Sequence, residues 1–121
     1  MTPEQLHEIV ATPGGRFARG PRCPRISVVI CSHNAAATLG RTLEHVRRLD
    51  YPEYEVLVVD DGSTDETLSV ARAHGVRPIV AAGRARQVAA AQATGEIVAY
   101  LEGDASPEPG WLTELAAARA T

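Results

Sequence analysis

Short apolar runs recur along the chain and are separated by segments with helical periodicity. ISVVIC (26–31), EVLVVD (55–60) and EIVAYLE (96–102) are predominantly apolar and of strand length, which is typical of strands buried on both faces of a sheet. VRPIVA (76–81) predicts a further short strand. Strands that alternate with helices predict an open, mostly parallel α/β sheet with flanking helices and right-handed crossovers.

The segment after the first apolar run has the clearest amphipathic pattern. Asn34 is the expected N-cap of its helix. Ser63 and Glu66, after the second run, have the spacing of a capping box, and Gly75 is suited to end the helix that they begin. The apolar positions of the first helix recur at steps of three or four residues and form one stripe toward the sheet: Ala36, Leu39, Leu43, Val46 and Leu49.

Two further helices are predicted in the second half of the chain. The alanine-rich segment 84–94 favours a helix, and Gly95 ends it. Ser106 and Pro107 begin the last helix, in which Trp111 lies in the first turn. We expect Trp111 to pack in the core rather than to form an exposed stacking surface for a ligand.

The first 25 residues differ from the rest. Thr2, Pro3 and Gln5 predict the start of a short helix, and the stretch from Thr12 to Arg25 is rich in proline and glycine. We therefore expect an N-terminal extension and connector over residues 1–25 and one domain over residues 26–121.

Composition disfavours several classes of protein. The formal net charge of −3 and the 4% aromatic content disfavour a nucleic-acid partner, which requires a basic surface and stacking side chains. No apolar run is long enough for a membrane span and no leader is visible, so a cytoplasmic location is expected. Cys23 and Cys31 are expected to be reduced thiols, although a disulfide between them stays open.

Polar residues follow three of the predicted strands at the point where each strand ends: Cys31-Ser32-His33-Asn34, Asp60-Asp61-Gly62-Ser63 and Glu102-Gly103-Asp104. Ligands of open α/β sheets bind beyond the carboxyl ends of the strands. Carboxylates gathered there would repel one another unless a cation joins them, and Mg²⁺ or Mn²⁺ with a phosphorylated ligand is the natural candidate. A solvated turn is the alternative interpretation of each acidic pair.

Three segments resemble, in order and spacing, the signature blocks of family 2 glycosyltransferases: ISVVICSHN, EVLVVDDGSTDET and GRARQVAAAQATGEIVAYLEGDA. The resemblance extends from about Ile26 to Leu115. It implies the Rossmann-like GT-A fold and transfer of a sugar, with inversion, from a nucleotide diphosphate sugar to an acceptor hydroxyl. The acceptor, whether saccharide, lipid or protein, stays open.

The resemblance also implies roles for individual residues. Cys31, Ser32 and His33 would lie against the base and ribose. Asp61 would accept a hydrogen bond from the base, which favours a UDP-sugar, whereas Asp60 is either structural or binding.

The diphosphate side of the site follows from the same resemblance. Arg86 would serve the diphosphate or the local fold. Glu102-Gly103-Asp104 takes the place of the DxD motif, so that Asp104 would bind a divalent metal (Mn²⁺ or Mg²⁺). Glu102 departs from the usual aspartate, which puts its share in metal binding in doubt.

Three other functions compete with a glycosyltransferase. The family's catalytic base is expected beyond Thr121, in a second half of the domain, and a non-catalytic nucleotide-binding or assembly module is therefore the main rival. A cysteine-histidine nucleophile formed by Cys31 and His33 is disfavoured, because nothing in the sequence brings the two side chains within reach. A dinucleotide-binding oxidoreductase is disfavoured because CSHNAAA, after the first strand, lacks a glycine-rich loop.

Overall fold

The computed structural model of the chain describes residues 24–120, in which four strands alternate with four helices. The predicted N-terminal helix, most of the connector and Cys23 lie outside this range. The strands are β1 (Ile26–Ser32), β2 (Tyr54–Asp60), β3 (Ile79–Val80) and β4 (Ile97–Glu102). The helices are α1 (Leu39–Arg47), α2 (Thr67–Ala73), α3 (Ala85–Gln92) and α4 (Trp111–Ala120).

The strands form one sheet in the order β3-β2-β1-β4, and every neighbouring pair is parallel. This confirms the predicted parallel α/β sheet. In the register of the sheet, Ser32 lies opposite Asp60, and Cys31 lies opposite Glu102. The polar ends of β1, β2 and β4 are therefore neighbours at one edge, which we call the carboxyl edge.

Apolar side chains of the inner strand β1 pack on both faces of the sheet. Val28 and Ile30 belong to the larger core cluster, which includes side chains of α1, α2 and α4. Val29 points the other way and packs in a smaller cluster with Ala89 of α3. Trp111 is 6% exposed and packs in the larger cluster, as predicted. Burial on two faces explains why β1 is apolar without alternation.

The predicted cap of α1 was wrong. This helix begins at Leu39, and Asn34 lies upstream of it with a left-handed φ of 49°. The Asn34 Oδ1 atom accepts hydrogen bonds from the backbone N–H groups of Thr64 (2.8 Å) and Asp65 (3.3 Å). Asn34 therefore orders the loop before α2, because the parallel pairing of β1 with β2 places the two loops side by side.

The predicted capping box of α2 was also wrong. The Ser63 hydroxyl donates to Asp60 Oδ1 at 2.6 Å, and α2 begins only at Thr67. The N-cap residue is Glu66, which makes no side-chain cap hydrogen bond, and the carboxylate of the preceding Asp65 accepts the Thr67 N–H at 3.0 Å. Hydrogen bonds, first of all that from the Thr67 hydroxyl, lower the pKa of Asp65.

The other element boundaries agree with the prediction to different degrees. Gly75, with a φ of 79°, follows the end of α2 as predicted. Strand β3 is shorter than the run over residues 76–81. Helix α4 begins at Trp111 rather than near Ser106, so that a turn-rich segment separates it from β4.

Candidate functional site

A cleft of about 640 Å³ opens at the carboxyl edge of the sheet. All eight residues proposed from the sequence line it: Cys31, Ser32, His33, Asp61, Arg86, Glu102, Gly103 and Asp104. The structure thus places the carboxylates of two separate strand ends, Asp61 and Asp104, in one cleft. The role of each residue stays a prediction.

Six other residues of the cleft received no ligand role from the sequence: Asn34, Ala35, Thr38, Gly83, Ala85 and Gln87. The strand-end rule, applied also to β3, would have pointed to Gly83 and Ala85, which follow that strand. No signal in the sequence distinguishes Thr38, because its position depends on how α1 packs beside β4.

The residues that end β1 form one wall of the cleft. Ser32 is buried, and its hydroxyl donates to Asp60 Oδ1 at 3.0 Å. His33 is exposed, and its Nδ1 lies 2.9 Å from the backbone oxygen of Asp61, so Nδ1 carries the proton and donates it. The loops after β1 and β2 are thereby joined.

Cys31 is half-buried in the cleft. Burial raises the pKa of the Cys31 thiol, and the negative charge of Glu102 raises it further, although Arg86 opposes both effects. A neutral thiol is a poor nucleophile, and the absence of a nucleophilic role for Cys31 stays a prediction.

Asp60 and Asp61 are adjacent in sequence but lie in different surroundings. Asp60 is fully buried, and its carboxylate accepts the Ser32 hydroxyl together with the Ser63 hydroxyl and N–H. Asp61 is exposed in the cleft, where its Oδ1 accepts the Gly83 N–H at 2.5 Å. Asp60 is therefore a structural carboxylate, and Asp61 is the one that a ligand can reach.

The Glu102-Gly103-Asp104 segment lines the cleft beside the end of β1. Both carboxylates are exposed, whereas Gly103 is buried and donates its N–H to the Cys31 oxygen at 3.0 Å. A Cβ atom at Gly103 would lie only 3.2 Å from the Ala35 Cβ. Glycine therefore lets this segment lie close to the loop after β1.

Arg86, on α3, brings positive charge to the cleft. Its guanidinium carbon lies 4.4 Å from the ring centroid of Tyr100, a buried residue of β4. Stacking on an aromatic face orients a guanidinium group by a cation–π interaction. The cleft thus combines one oriented cation with the carboxylates of Asp61, Glu102 and Asp104.

The carboxylates of the cleft do not form a closed metal site. Within residues 24–120, no group of three or more His, Cys, Asp and Glu side chains could hold a metal ion. Magnesium and manganese are, however, commonly held by one or two carboxylates, with substrate phosphates and water completing the shell. That Glu102 and Asp104 hold such an ion together with a phosphorylated ligand stays a prediction.

None of the helices between residues 24 and 120 combines the length and the apolar character needed to cross a bilayer. The cytoplasmic location stays a prediction.

The sequence model described as Glycosyl transferase family 2 matches residues 27–119. The glycosyltransferase AglE of Haloferax volcanii is 38% identical over 101 residues, which cover 74% of this chain and 33% of that protein.

Solved structures of glycosyltransferases share the fold. The mannosyltransferase PcManGT of Pyrobaculum calidifontis, in complex with GDP-Man and Mn²⁺, superposes with a TM-score of 0.71 at 27% identity. The match covers 84% of this chain and 36% of that one. Glucosyl-3-phosphoglycerate synthase of Mycobacterium tuberculosis, in complex with Mn²⁺ and UDP-glucose, gives a TM-score of 0.65 at 29% identity over 81% of this chain and 40% of that one.

The matched part of this chain spans only 33% of the length of AglE. Because the family model covers most of the chain and the sheet matches that of solved relatives, this chain belongs to glycosyl transferase family 2 and has part of the GT-A fold.

Proposed function

We propose that residues 26–121 form the donor-binding part of an inverting glycosyltransferase, which transfers a sugar from a nucleotide diphosphate sugar to an acceptor hydroxyl. The observation that carries this proposal is the shared cleft, since the exposed Asp61 and the exposed Asp104 line it from two separate strand ends. The relatives crystallised with GDP-Man or UDP-glucose support a ligand of this class.

The surroundings of Asp61 favour uracil as the base. Its Oδ1 already accepts the Gly83 N–H, whereas Oδ2 receives no hydrogen bond from residues 24–120. Uracil presents a single ring N–H, which one carboxylate oxygen satisfies. Guanine presents two adjacent N–H donors, which pair best with two free carboxylate oxygens. A UDP-sugar is therefore the proposed donor, with the loop of Cys31, Ser32 and His33 beside the base and ribose.

The diphosphate is the leaving group of the proposed reaction, and negative charge builds on it as the glycosidic bond breaks. Arg86, oriented by Tyr100, supplies a preplaced positive charge in the cleft. Asp104, with Glu102, would hold a divalent metal ion, which when bound stabilises the departing diphosphate as a Lewis acid. The acceptor hydroxyl also requires a general base, and no described residue is assigned to that role.

Calorimetric titration with UDP tests the proposal on the full chain. Mn²⁺ is expected to tighten UDP binding by about tenfold or more, equal to about 1.4 kcal/mol, and Asp104→Asn should remove this gain. Asp50 is an exposed aspartate in the loop between α1 and β2, and Asp50→Asn serves as the control that should behave as the wild type. Equal UDP affinity with and without Mn²⁺, or an unchanged metal response in Asp104→Asn, would contradict the metal assignment.

A non-catalytic nucleotide-binding module is the second candidate, favoured by Glu102 in the place of the usual aspartate. Such a module would bind UDP without turning over a donor. Release of UDP from a UDP-sugar by the longest natural form of the protein separates the two functions, because only the enzyme would hydrolyse or transfer the sugar.

A further inference from the structure

Two threonine hydroxyls of α1 and its N-cap contact the backbone of the Glu102–Ala105 turn. Thr38 Oγ1 donates to the Gly103 oxygen at 2.9 Å. Thr42 Oγ1 lies 3.1 Å from the same oxygen and 2.8 Å from the Ala105 oxygen, and its single O–H is donated to one of the two at a time. Residues four apart on a helix lie on one side of it, so both hydroxyls reach the turn together.

The rest of the turn is held by backbone contacts. Ala105 N–H donates to the Glu102 oxygen at 3.1 Å, and Gly103 N–H donates to the Cys31 oxygen at 3.0 Å. The Asp104 carboxylate, in contrast, is exposed and receives no hydrogen bond from residues 24–120. The position of this carboxylate is therefore set by the backbone that carries it, and that backbone is tied to β1 on one side and to Thr38 and Thr42 on the other.

Thr42 is the stronger of the two constraints. It is 1% exposed, so water cannot replace its hydroxyl easily, and removal would leave the Ala105 oxygen without this donor. Thr38 is exposed, and its hydroxyl also lies 3.4 Å from the Ala35 oxygen. Loss of the Thr42 hydroxyl would allow the turn to shift by small distances, and metal ligation is sensitive to such shifts.

We infer that Thr38 and Thr42 are positioning residues, which place Asp104 for a divalent cation shared with the donor diphosphate. The inference rests on the proposed function, because it requires Asp104 to be the metal ligand.

The test compares Thr42→Val, which keeps the shape and removes the hydroxyl, with Thr42→Ser, which keeps the hydroxyl. UDP affinity is measured calorimetrically with and without Mn²⁺, and bound Mn²⁺ is followed by electron paramagnetic resonance in the presence of UDP. Thr42→Val should lower the Mn²⁺-dependent gain in UDP affinity about fivefold, as expected for one ordinary hydrogen bond. The metal-free affinity should stay within about twofold, and Thr42→Ser should recover the gain.

Ser27→Ala is the matched control for a general loss of stability. The Ser27 hydroxyl is also buried, but it lies near the start of β1, where it donates to Glu55 and accepts the Gly95 N–H. This variant should melt at a lower temperature and still respond to Mn²⁺ as the wild type does. Should Thr42→Val fail to fold, the exposed Thr38→Val takes its place with the same expected direction.

The outcomes distinguish this inference from the proposed function. If the wild type binds UDP with the same affinity in the presence and absence of Mn²⁺, both the metal site and the inference are overturned. If the wild type gains UDP affinity from Mn²⁺ and Thr42→Val gains as much, the positioning role alone is overturned. It is also overturned if Thr42→Ser loses as much of this gain as Thr42→Val does. Equal losses in Thr42→Val and Ser27→Ala would also overturn it, since stability would then explain the effect.

Discussion

Exchange of Asp60 for asparagine should lower the stability of the fold, whereas exchange of the adjacent Asp61 should lower the affinity for UDP. Asp60 is fully buried and accepts three hydrogen bonds from two residues: the Ser32 hydroxyl at 3.0 Å, the Ser63 hydroxyl at 2.6 Å and the Ser63 N–H at 2.7 Å. An asparagine keeps only one acceptor oxygen, so its NH₂ group must face either a backbone N–H or the two hydroxyls.

The cost of Asp60→Asn follows from these contacts. At least one hydrogen bond to a charged acceptor is lost, and a buried donor is left unpaired, which together cost about 2–4 kcal/mol. With a urea slope of about 2 kcal/mol per molar, the unfolding midpoint should fall by about 1–2 M. The protein should still fold, because domains of this size are commonly stable by about 5–15 kcal/mol.

Asp61→Asn should spare stability and impair binding. Asp61 is exposed, and an asparagine oxygen can still accept the Gly83 N–H, so the unfolding free energy should change by no more than about 0.5 kcal/mol. The NH₂ group would then face the N–H of the base, and UDP affinity should fall about tenfold or more.

Two assays on the same samples measure both effects. Urea unfolding is followed by the fluorescence of Trp111, the single tryptophan, which is 6% exposed in the fold, and UDP affinity is measured by calorimetry. The reasoning is refuted if Asp61→Asn loses as much stability as Asp60→Asn, or if it binds UDP as tightly as the wild type.

Three further predictions concern stability, pH and thiol reactivity. Gly95→Ala should cost about 2–4 kcal/mol in urea unfolding, because its Cβ would lie 2.6 Å from the Ser27 nitrogen, whereas Gly110→Ala, with open space around it, should be neutral or slightly stabilising. Burial alone would raise the pKa of Glu55, but hydrogen bonds from Ser27 and other groups outweigh it and lower that pKa. The resulting stability is present above the ordinary carboxyl pKa of 4.5 and is lost as pH falls through the lower folded-state pKa, so Glu55→Gln should flatten the acid side of a stability–pH profile. Cys31, whose pKa is raised first by burial, should react with iodoacetamide at pH 8 more slowly in the folded chain than in urea, and equal rates would contradict that shift.

Much of the cleft was predictable because two sequence signals are local. Apolar runs identify strands that are buried on both faces, and the carboxyl ends of parallel strands lie at one edge whatever the details of the loops. Seven of the eight proposed residues lie at or just after a strand end, Arg86 belongs to a segment that resembles the family, and all eight line the cleft.

The caps were not predictable, because a hydroxyl or amide near a helix start looks the same whether it binds its own helix or a neighbour. Asn34 binds the loop before α2, and Ser63 binds the buried Asp60 instead of an N-terminal N–H of α2. These choices depend on the pairing of β1 with β2, which brings the two loops together.

The sequence by itself determined the strands, the α/β class and the set of residues at the carboxyl edge, since these depend on side-chain polarity and chain order. Tertiary structure alone decided that Asp60 is buried while Asp61 is exposed, and that Thr38 and Thr42 donate to the turn of Asp104. The physical reason is that a hydrogen bond between residues distant in sequence requires the packing of whole strands and helices to bring donor and acceptor within about 3 Å.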